Sequence, residues 1–427
     1  MKKILFLGDS TETCEFLECA KKEGFHTIVT DYNDPKYSTA KLLADEYWMV
    51  STADLDTLEQ KCKDENIQAV ISGASDFNIE MMIKLCERLN LPCYCNEEVW
   101  NNTKDKILFK KICRESGVLV PEDYEVSSIL SYEELQEVKF PVMVKPVNLN
   151  ANIGVSYCYN LNDLIAAYRY AESLSLHQDD KIIVERMLSG IEFFCYYVLA
   201  EGEASFLTIG IRLPQPNEPK FCYSMNTTIN SFTDRYLREV NSSMIEVLKK
   251  LGCREGIACV QCMLDEDNHF YAFEMCYSAE ASLLLAPLRY VYDFDAIKWQ
   301  FECAIGKKHF VNQLPHINRS SNDRCANSYI LFSNKDGIIS EINGIETIKQ
   351  IPNVTCTIHV HEGDKAKKFY PLGHIMFDTD NCEQICEIIK LINTNVSIKN
   401  SLGEDLIIHY DDSDFIINEY QRSIKYL

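Results

Sequence analysis

The chain has 427 residues, enough for two or three domains. Hydrophobic residues make up 46% of it and charged residues 25%, the proportions of an ordinary globular protein. The formal net charge of −22 argues against nucleic acid as a partner, because an acidic surface repels a phosphate backbone. No apolar run has membrane-spanning length, and the apolar start at residues 4–8 is too short for a signal peptide.

Residues 1–100 alternate between predicted strands and predicted helices. This alternation predicts a doubly wound parallel sheet. A dinucleotide site would need three spaced glycines after the first strand, whereas residues 8–13 read Gly-Asp-Ser-Thr-Glu-Thr. An NAD-dependent enzyme is therefore the weakest of the three hypotheses considered for this sequence. The predicted strands are residues 4–8, 26–31, 47–50 and 69–73, and the predicted helices are residues 11–22, 54–64 and 76–89.

A polar loop from Gly73 to Asp76 ends the fourth predicted strand. Open parallel sheets bind ligands at the carboxyl ends of their strands, so the loop is a candidate substrate site. Ser75 or Asp76 would equally serve as the cap of the following helix. The sequence leaves both interpretations open.

The chain contains 19 cysteines, many of them within apolar runs. This distribution predicts buried, reduced thiols and a cytoplasmic location. The close pairs Cys93/Cys95 and Cys259/Cys262 would suit zinc, but no second pair with histidines stands at zinc-finger spacing. Core thiols are therefore the favoured interpretation.

The next segment carries candidate phosphate ligands. A helix that contains Lys106 is predicted after residue 105, and a predicted strand at residues 140–145 ends in Lys145, followed by a proline that cannot continue the ladder. Asparagines at 148, 150 and 152, then Gly154, predict a mobile loop. A cation at a strand end beside such a loop suits a nucleotide triphosphate.

A second apolar run, residues 181–188, leads through Gly190 to Glu192. Backbone groups after Glu185 can pair with a base, and Glu192 can accept hydrogen bonds from ribose hydroxyls. This stretch is therefore a candidate binding site for a nucleoside.

Residues 256–274 predict a β-hairpin. If the turn closes on Asp267 and Asn268, Gln261 lies directly opposite Glu274, with Cβ atoms roughly 5 Å apart. Two such oxygen-bearing side chains can share one hard cation. A slip of one residue would separate them, and a polar pair facing water is the alternative.

The order and spacing of these motifs resemble the ATP-grasp superfamily, in particular carboxylate–amine ligases and the large subunit of carbamoyl-phosphate synthetase. The resemblance covers almost the whole chain. It implies an N-terminal domain at residues 1–100, an ATP-grasp domain at 101–322 with a lid at about 121–190, and a C-terminal α+β domain at 323–427. The motifs that carry it are Lys106, Lys145-Pro146, Val184-Glu185 and Gly190-Ile191-Glu192.

The resemblance implies an ATP-dependent ligase that needs Mg²⁺. Such an enzyme joins a small-molecule carboxylate to an amine through an acyl phosphate and releases ADP and phosphate; dimers are frequent in the family. It implies that Gln261 and Glu274 bind the metal, and that Lys145, Glu274 and Arg289 are catalytic. The implied nucleotide contacts are Lys106, Lys145, Gly154, Glu185, Arg186, Leu188 and Glu192.

The chain departs from the family pattern just after Glu274. The family usually continues Glu-x-Asn-x-Arg, but here Cys276 and Ser278 replace the asparagine and the arginine. A thiol is a poor magnesium ligand. The alternative hypothesis is therefore a nucleotide-binding homologue with little or no ligase activity. The candidates to replace the missing groups are Asp265, Glu280, Arg289 and Arg212.

From about residue 326 the pattern changes to short strands and one long helix, which predicts an α+β lid. His359 and His361 alternate along one predicted strand, which indicates an exposed face more than metal ligands. The predicted strands are residues 329–332, 337–341, 354–360, 374–377 and 396–398, and the predicted helix is residues 381–393.

Overall fold

The computed structural model describes residues 2–147, 154–174, 181–218, 222–279, 284–317 and 324–425. Within these ranges the chain forms a four-stranded parallel sheet, a four-stranded lid sheet, an eight-stranded antiparallel sheet and a small three-stranded sheet. Among the described residues, we find no helix with the length and hydropathy of a membrane span.

The N-terminal region alternates strands and helices. Its elements are β1 (Lys3–Leu7), α1 (Thr11–Lys22), β2 (His26–Thr30), α2 (Thr39–Leu43), β3 (Glu46–Trp48), α3 (Leu55–Asp64), β4 (Ile67–Ser72), α4 (Asp76–Leu89) and α5 (Glu97–Lys104). The strand order is β3-β2-β1-β4, with α1 and α2 packed on β2 and with α3 and α4 packed together beside β4. Four consecutive residues of β1 are buried, as expected for a parallel strand covered on both faces. The predicted doubly wound sheet is confirmed.

The lid is a small sheet with strand order β5-β8-β6-β7 and its own apolar core. Its elements, with the helix that precedes it, are α6 (Lys106–Glu115), β5 (Asp123–Tyr124), α7 (Tyr132–Gln136), β6 (Val142–Pro146), β7 (Ser156–Cys158), α8 (Leu161–Leu174) and β8 (Ile182–Arg186). The helix α8 packs against β6 and β7. This arrangement places the ends of β6 and β8 beside α6.

The central sheet has the order β13-β12-β9-β10-β11-β14-β18-β16, and all its neighbouring strands are antiparallel. Its first part contains β9 (Gly190–Ala200), β10 (Glu203–Leu213), β11 (Met225–Thr227), α9 (Thr233–Glu239), α10 (Asn241–Leu251), β12 (Gly256–Asp265), β13 (Phe270–Cys276), α11 (Leu285–Val291) and α12 (Ala296–Ala304). The long strands β9, β10 and β12 are almost fully buried, so they form the core of the molecule.

The C-terminal segment extends the same sheet. Its elements are β14 (Cys325–Phe332), β15 (Gly337–Asn343), α13 (Ile345–Ile348), β16 (Thr355–Ile358), β17 (Lys365–Ala366), β18 (Pro371–Thr379), α14 (Cys382–Asn395), β19 (Ser397–Asn400) and α15 (Ser413–Lys425). The strands β14, β18 and β16 join the central sheet, in which β14 pairs with β11. The strands β17, β15 and β19 form the small sheet. The helix α15 was not predicted from the sequence.

Candidate functional site

The hairpin β12–β13 places Gln261 directly opposite Glu274, as the sequence predicted. The assumed turn was wrong, because the loop has three residues and closes through Asp265 and His269. Asn268 takes the left-handed conformation (φ 65°) that such loops require. A bulge at Phe273 restores the pairing of Gln261 with Glu274. The longer loop and the bulge shift the register in opposite directions, so Gln261 and Glu274 remain paired.

Lys106 reaches the hairpin from the first turn of α6. Asp105 caps this helix by accepting hydrogen bonds from the N–H groups of residues 107 and 108. The Lys106 side chain is buried, and its Nζ lies 3.4 Å from the Glu274 carboxylate. Lys106 therefore lies beside the hairpin pair.

Lys145 ends the buried strand β6 and faces Glu185 on β8. Met143 is paired with Glu185, so Lys145, two residues further on, projects from the same side of the lid sheet. Its Nζ lies 2.5 Å from the Glu185 carboxylate and 5.9 Å from the ring centre of Phe273, the neighbour of Glu274. Burial opposes the charge, but attraction to Glu185 and Glu274 raises the pKa of Lys145. Lys145 therefore stays cationic beside the hairpin.

Glu185 is a buried counterion between two lysines. Its second oxygen lies 2.7 Å from the Nζ of Lys110, which also bonds Asp123. Burial alone would raise the pKa of the Glu185 carboxyl, but Lys145 and Lys110 hold it below its usual range. The Glu185 side chain was predicted to border adenine. That role stays a prediction; in the structure the Glu185 carboxylate is paired with Lys145 and Lys110.

Sequence reasoning missed Lys110, which it treated as one of several ordinary helix lysines. The structure buries Lys110 to 2% exposure, whereas the side chain of the next residue, Lys111, is 68% exposed. One signal was present: Lys106 and Lys110 stand four residues apart, so they share a face of one helix. Both lysines project from α6 towards the site.

Glu192 lies at the start of β9, beside the hairpin pair. Gln261 donates a hydrogen bond to its carboxylate at 2.5 Å, and Arg212 donates another at 3.0 Å. Gln261 is thus bonded to Glu192 on β9 and lies opposite Glu274 on β13. The predicted ribose and metal ligands are adjacent.

The segment between β8 and β9, which we call the hinge, is hydrogen-bonded to the turn of the β12–β13 hairpin. The guanidinium of Arg186 bonds Asp265 and lies 3.2 Å from Asp267, so its side chain is engaged with the turn. Leu188 is buried within the hinge. At Gly190 a Cβ would lie 2.0 Å from the carbonyl oxygen of Leu264, so only glycine fits there.

Gly154 has φ 78°, and a Cβ there would lie 2.8 Å from Pro146. This contact places Gly154 beside the end of β6. The asparagines at 148, 150 and 152, as well as Glu280, lie outside the described residues.

Three predicted substitutes for missing groups have other partners. Arg289 on α11 bonds Glu15 of the N-terminal region and the carbonyl of Ala286, so these contacts join it to α1 rather than to Glu274. Asp265 holds Arg186 and the hinge. Arg212 is bound to Glu192. These contacts do not support the prediction that one of these residues replaces the missing asparagine or arginine of the family.

The loop from Gly73 to Asp76 caps a helix and also faces the site. The Ser75 hydroxyl accepts a hydrogen bond from the N–H of Asn78, as the helix-cap interpretation requires. Burial raises the pKa of Asp76, and the Glu274 carboxylate raises it further. Asp76 therefore lies near enough to Glu274 for the two charges to interact.

Several other predictions concern cysteines and histidines. All 19 cysteines are free thiols, and 13 of them are buried. His359 and His361 are both exposed. His359 contacts His374 at 2.6 Å, and His361 lies 3.5 Å from Asp364.

The amino-acid sequence of the chain also matches known proteins. A family model described as "D-ala D-ala ligase C-terminus" matches residues 117–278. The chain is 24% identical over 302 residues to the N-terminal section of the carbamoyl phosphate synthase large chain of Aquifex aeolicus, covering 64% of this chain and 53% of that protein. It is 30% identical over 182 residues to D-alanine--D-alanine ligase of Solibacter usitatus, covering 40% of this chain and 54% of that protein. The chain thus spans about half the length of these curated relatives.

Solved structures show the same fold. An L-amino acid ligase from Bacillus licheniformis has a TM-score of 0.76 at 18% identity, covering 94% of this chain and 99% of that one. The biotin carboxylase domain of the Hydrogenobacter thermophilus 2-oxoglutarate carboxylase, solved as a dimer with MgADP, ADP and bicarbonate, also has a TM-score of 0.76, at 16% identity and 93% and 91% coverage.

The fold and the order of the motifs are those of the ATP-grasp superfamily. Within that superfamily, the chain is similar to D-alanine–D-alanine ligases, L-amino acid ligases and the carbamoyl phosphate synthase large chain.

Proposed function

We propose that this protein is an ATP-dependent carboxylate–amine ligase that forms an amide or peptide bond through an acyl phosphate. The observation that carries the proposal is the cluster of Lys106, Lys145, Gln261 and Glu274. Lys106 lies 3.4 Å from Glu274, Glu274 faces Gln261, and Lys145 lies beside the neighbouring Phe273. Two cations beside two oxygen donors suit a triphosphate with its metal.

The residues of the site fit ATP and Mg²⁺. Gln261 and Glu274 supply the hard oxygens that Mg²⁺ prefers, and Lys106 and Lys145 would hold phosphates. Within the described part of the chain, no group of three histidine, cysteine or acidic side chains is arranged for a metal. Phosphate or water oxygens would therefore complete the ligand set. Bound MgATP would supply the phosphoryl group that activates the substrate carboxylate.

The chain's own contribution would be positioning and charge. Glu185, fixed by Lys110, holds the Lys145 ammonium at the end of β6. Glu192 is held by Gln261 and Arg212, and its carboxylate would accept hydrogen bonds from ribose hydroxyls beside the metal pair. Such preorganised groups carry most of the catalysis in phosphoryl transfer, and no side-chain nucleophile is needed.

A second candidate is a nucleotide-binding homologue with little ligase activity. Ser278, which replaces the family arginine, is 3% exposed and carries no charge. Position 278 therefore supplies no positively charged side chain to the site. ADP release separates the two candidates, because only a ligase releases ADP when a carboxylate and an amine are added.

The decisive experiment gives the protein MgATP with a panel of amino acids and small carboxylates and measures ADP. We expect release with at least one pair, and loss of most of it in Glu274→Ala and Lys145→Ala. Undiminished release in both variants would refute the assignment of these residues. No release by a wild-type protein that binds MgATP would favour the second candidate.

The setting of the enzyme is part of the same proposal. Nineteen free thiols fit a reducing cytoplasm. A homodimer is proposed because the 2-oxoglutarate carboxylase domain of the same fold was solved as a dimer.

A further inference from the structure

The face of the central sheet that carries Gln261 and Glu274 also carries a continuous line of polar side chains. Opposed residues of antiparallel strands project from the same face. Arg212 is paired with Asn226, and Asn226 is paired with Ser328. We call the following set the polar row: Glu274, Gln261, Glu192, Arg212, Asn226 and Ser328. It crosses the strands β13, β12, β9, β10, β11 and β14 in order.

The far end of the polar row is buried and lacks hydrogen-bond partners. Asn226, Ser328 and Ser224 are 0% exposed. Among the described residues, neither the amide nitrogen nor the amide oxygen of Asn226 has a partner, and the hydroxyls of Ser328 and Ser224 have none. Buried polar groups are nearly always hydrogen-bonded, so a cluster of exceptions needs an explanation.

The opposite face of the same strands is better satisfied. Asn327, next to Ser328, is also 0% exposed. Its amide nitrogen donates to the carbonyl of Cys325 and to the hydroxyl of Thr379, both at 3.1 Å. The amide oxygen of Asn327 has no partner among the described residues, so its side chain is half satisfied, whereas Asn226 has no partner on either atom. The side chains without any partner in this part of the sheet, Asn226, Ser328 and Ser224, lie on the face that carries the candidate nucleotide site.

We propose that Asn226, Ser328 and Ser224 form a subsite for one substrate of the ligase, and that it recognises a neutral group that both donates and accepts hydrogen bonds, such as a carboxamide or a hydroxyl. This proposal rests on the proposed function. Asn226 offers one donor and one acceptor side by side, and each hydroxyl does the same. A carboxylate, which only accepts, would leave the Asn226 oxygen unsatisfied.

The charge of the neighbouring residues agrees with a neutral ligand group. Arg212 stands next to Asn226, but its guanidinium lies 3.0 Å from Glu192 and is stacked 3.8 Å from the rings of both Phe194 and Tyr223. The Arg212–Glu192 pair therefore presents little net charge to the subsite.

The helix α11 covers this face. Leu284, just before α11, contacts the Gly210 position, and Tyr292, just after it, lies 3.0 Å from the hydroxyl of Thr208. Gly210 and Thr208 project from the same face as Arg212, because they lie two and four residues before it on β10. These contacts place both ends of α11 over β10 on the face that carries the polar row.

The first test compares stability in the ligand-free protein. In Asn226→Leu the unpartnered amide is replaced by an apolar group of similar size, so we expect an unchanged or raised Tm. The matched control Asn327→Leu breaks real hydrogen bonds and should lower Tm by about 2–4 °C. An equal loss of Tm in both variants would mean that Asn226 already has partners, such as permanent internal water, and would overturn the proposal.

The second test compares matched substrates in ADP release: threonine against valine, and asparagine against leucine. The wild-type kcat/KM should favour the polar member by at least about a hundredfold, because a site built for hydrogen bonds rejects an analogue that lacks them. Asn226→Leu should erase the preference and keep the affinity for an ATP analogue. A wild-type preference for valine and leucine, or none, would overturn the subsite while leaving the ligase proposal intact. Failure to bind ATP would refute the ligase, and the Tm comparison would still decide the subsite.

Discussion

Lys110 gives the sharpest test of how the site is built. The variant Lys110→Met keeps the length of the side chain and removes its charge. It deletes the 2.7 Å contact with Glu185 and the bond to Asp123, and both Lys110 and Glu185 are almost fully buried. Breaking a buried pair by removing one partner costs about 3–5 kcal/mol. Because Glu185 retains Lys145, we expect the lower end, about 3 kcal/mol.

The assay is thermal unfolding together with nucleotide affinity. A loss of about 3 kcal/mol lowers Tm by about 3–5 °C in a chain of this size. The affinity for ATP should also fall, because Lys145 loses the fixed counterion that positions it. The control is Lys111→Met on the next, exposed residue, which should change stability by less than about 0.5 kcal/mol. Equal effects of the two variants would refute the reasoning.

Two other predictions concern the hinge and the C-terminal segment. Gly190→Ala should destabilise the protein by about 1–3 kcal/mol in urea unfolding, because the new Cβ meets the Leu264 carbonyl; an unchanged midpoint would contradict this. Burial, and then His359, hold the pKa of His374 well below 6.5, so the folded state binds fewer protons than the unfolded state there. Stability should therefore fall as pH drops below 6.5, by up to about 1.4 kcal/mol per pH unit. His374→Leu should flatten the dependence of Tm on pH, whereas the control variant His361→Leu, at an exposed residue, should leave it unchanged. Equal slopes of Tm against pH in the wild type and in His374→Leu would exclude His374 as the cause.

Local patterns predicted most of the elements and the key pair. Residues 11–22 and 76–89 were predicted as helices and are helices with those bounds. The pairing of Gln261 with Glu274 was predicted from an assumed turn that is wrong. It survived because the longer turn and the bulge at Phe273 shift the register in opposite directions. Period-two patterns do not reveal a bulge, so the correct pairing did not follow from a correct hairpin.

Tertiary contacts decided what the sequence left open. The sequence shows that Lys106 and Lys110 share one face of a helix, but it does not show that this face is buried. Burial depends on how α6 packs against the lid and the hairpin. The partnership of Glu185 with two lysines joins residues up to 75 positions apart. The entry of β14 into the central sheet is likewise set by pairing with β11, about 100 residues earlier in the chain.

The central claim is that Glu274 links a metal ion to the nucleotide. Calorimetric titration of ADP into the wild-type protein and Glu274→Ala, each with Mg²⁺ and with chelator, tests it most directly. Wild-type affinity should fall by about tenfold or more, or 1.4 kcal/mol, when Mg²⁺ is removed, and Glu274→Ala should lose most of that difference. The same Mg²⁺ dependence in both proteins would contradict the claim.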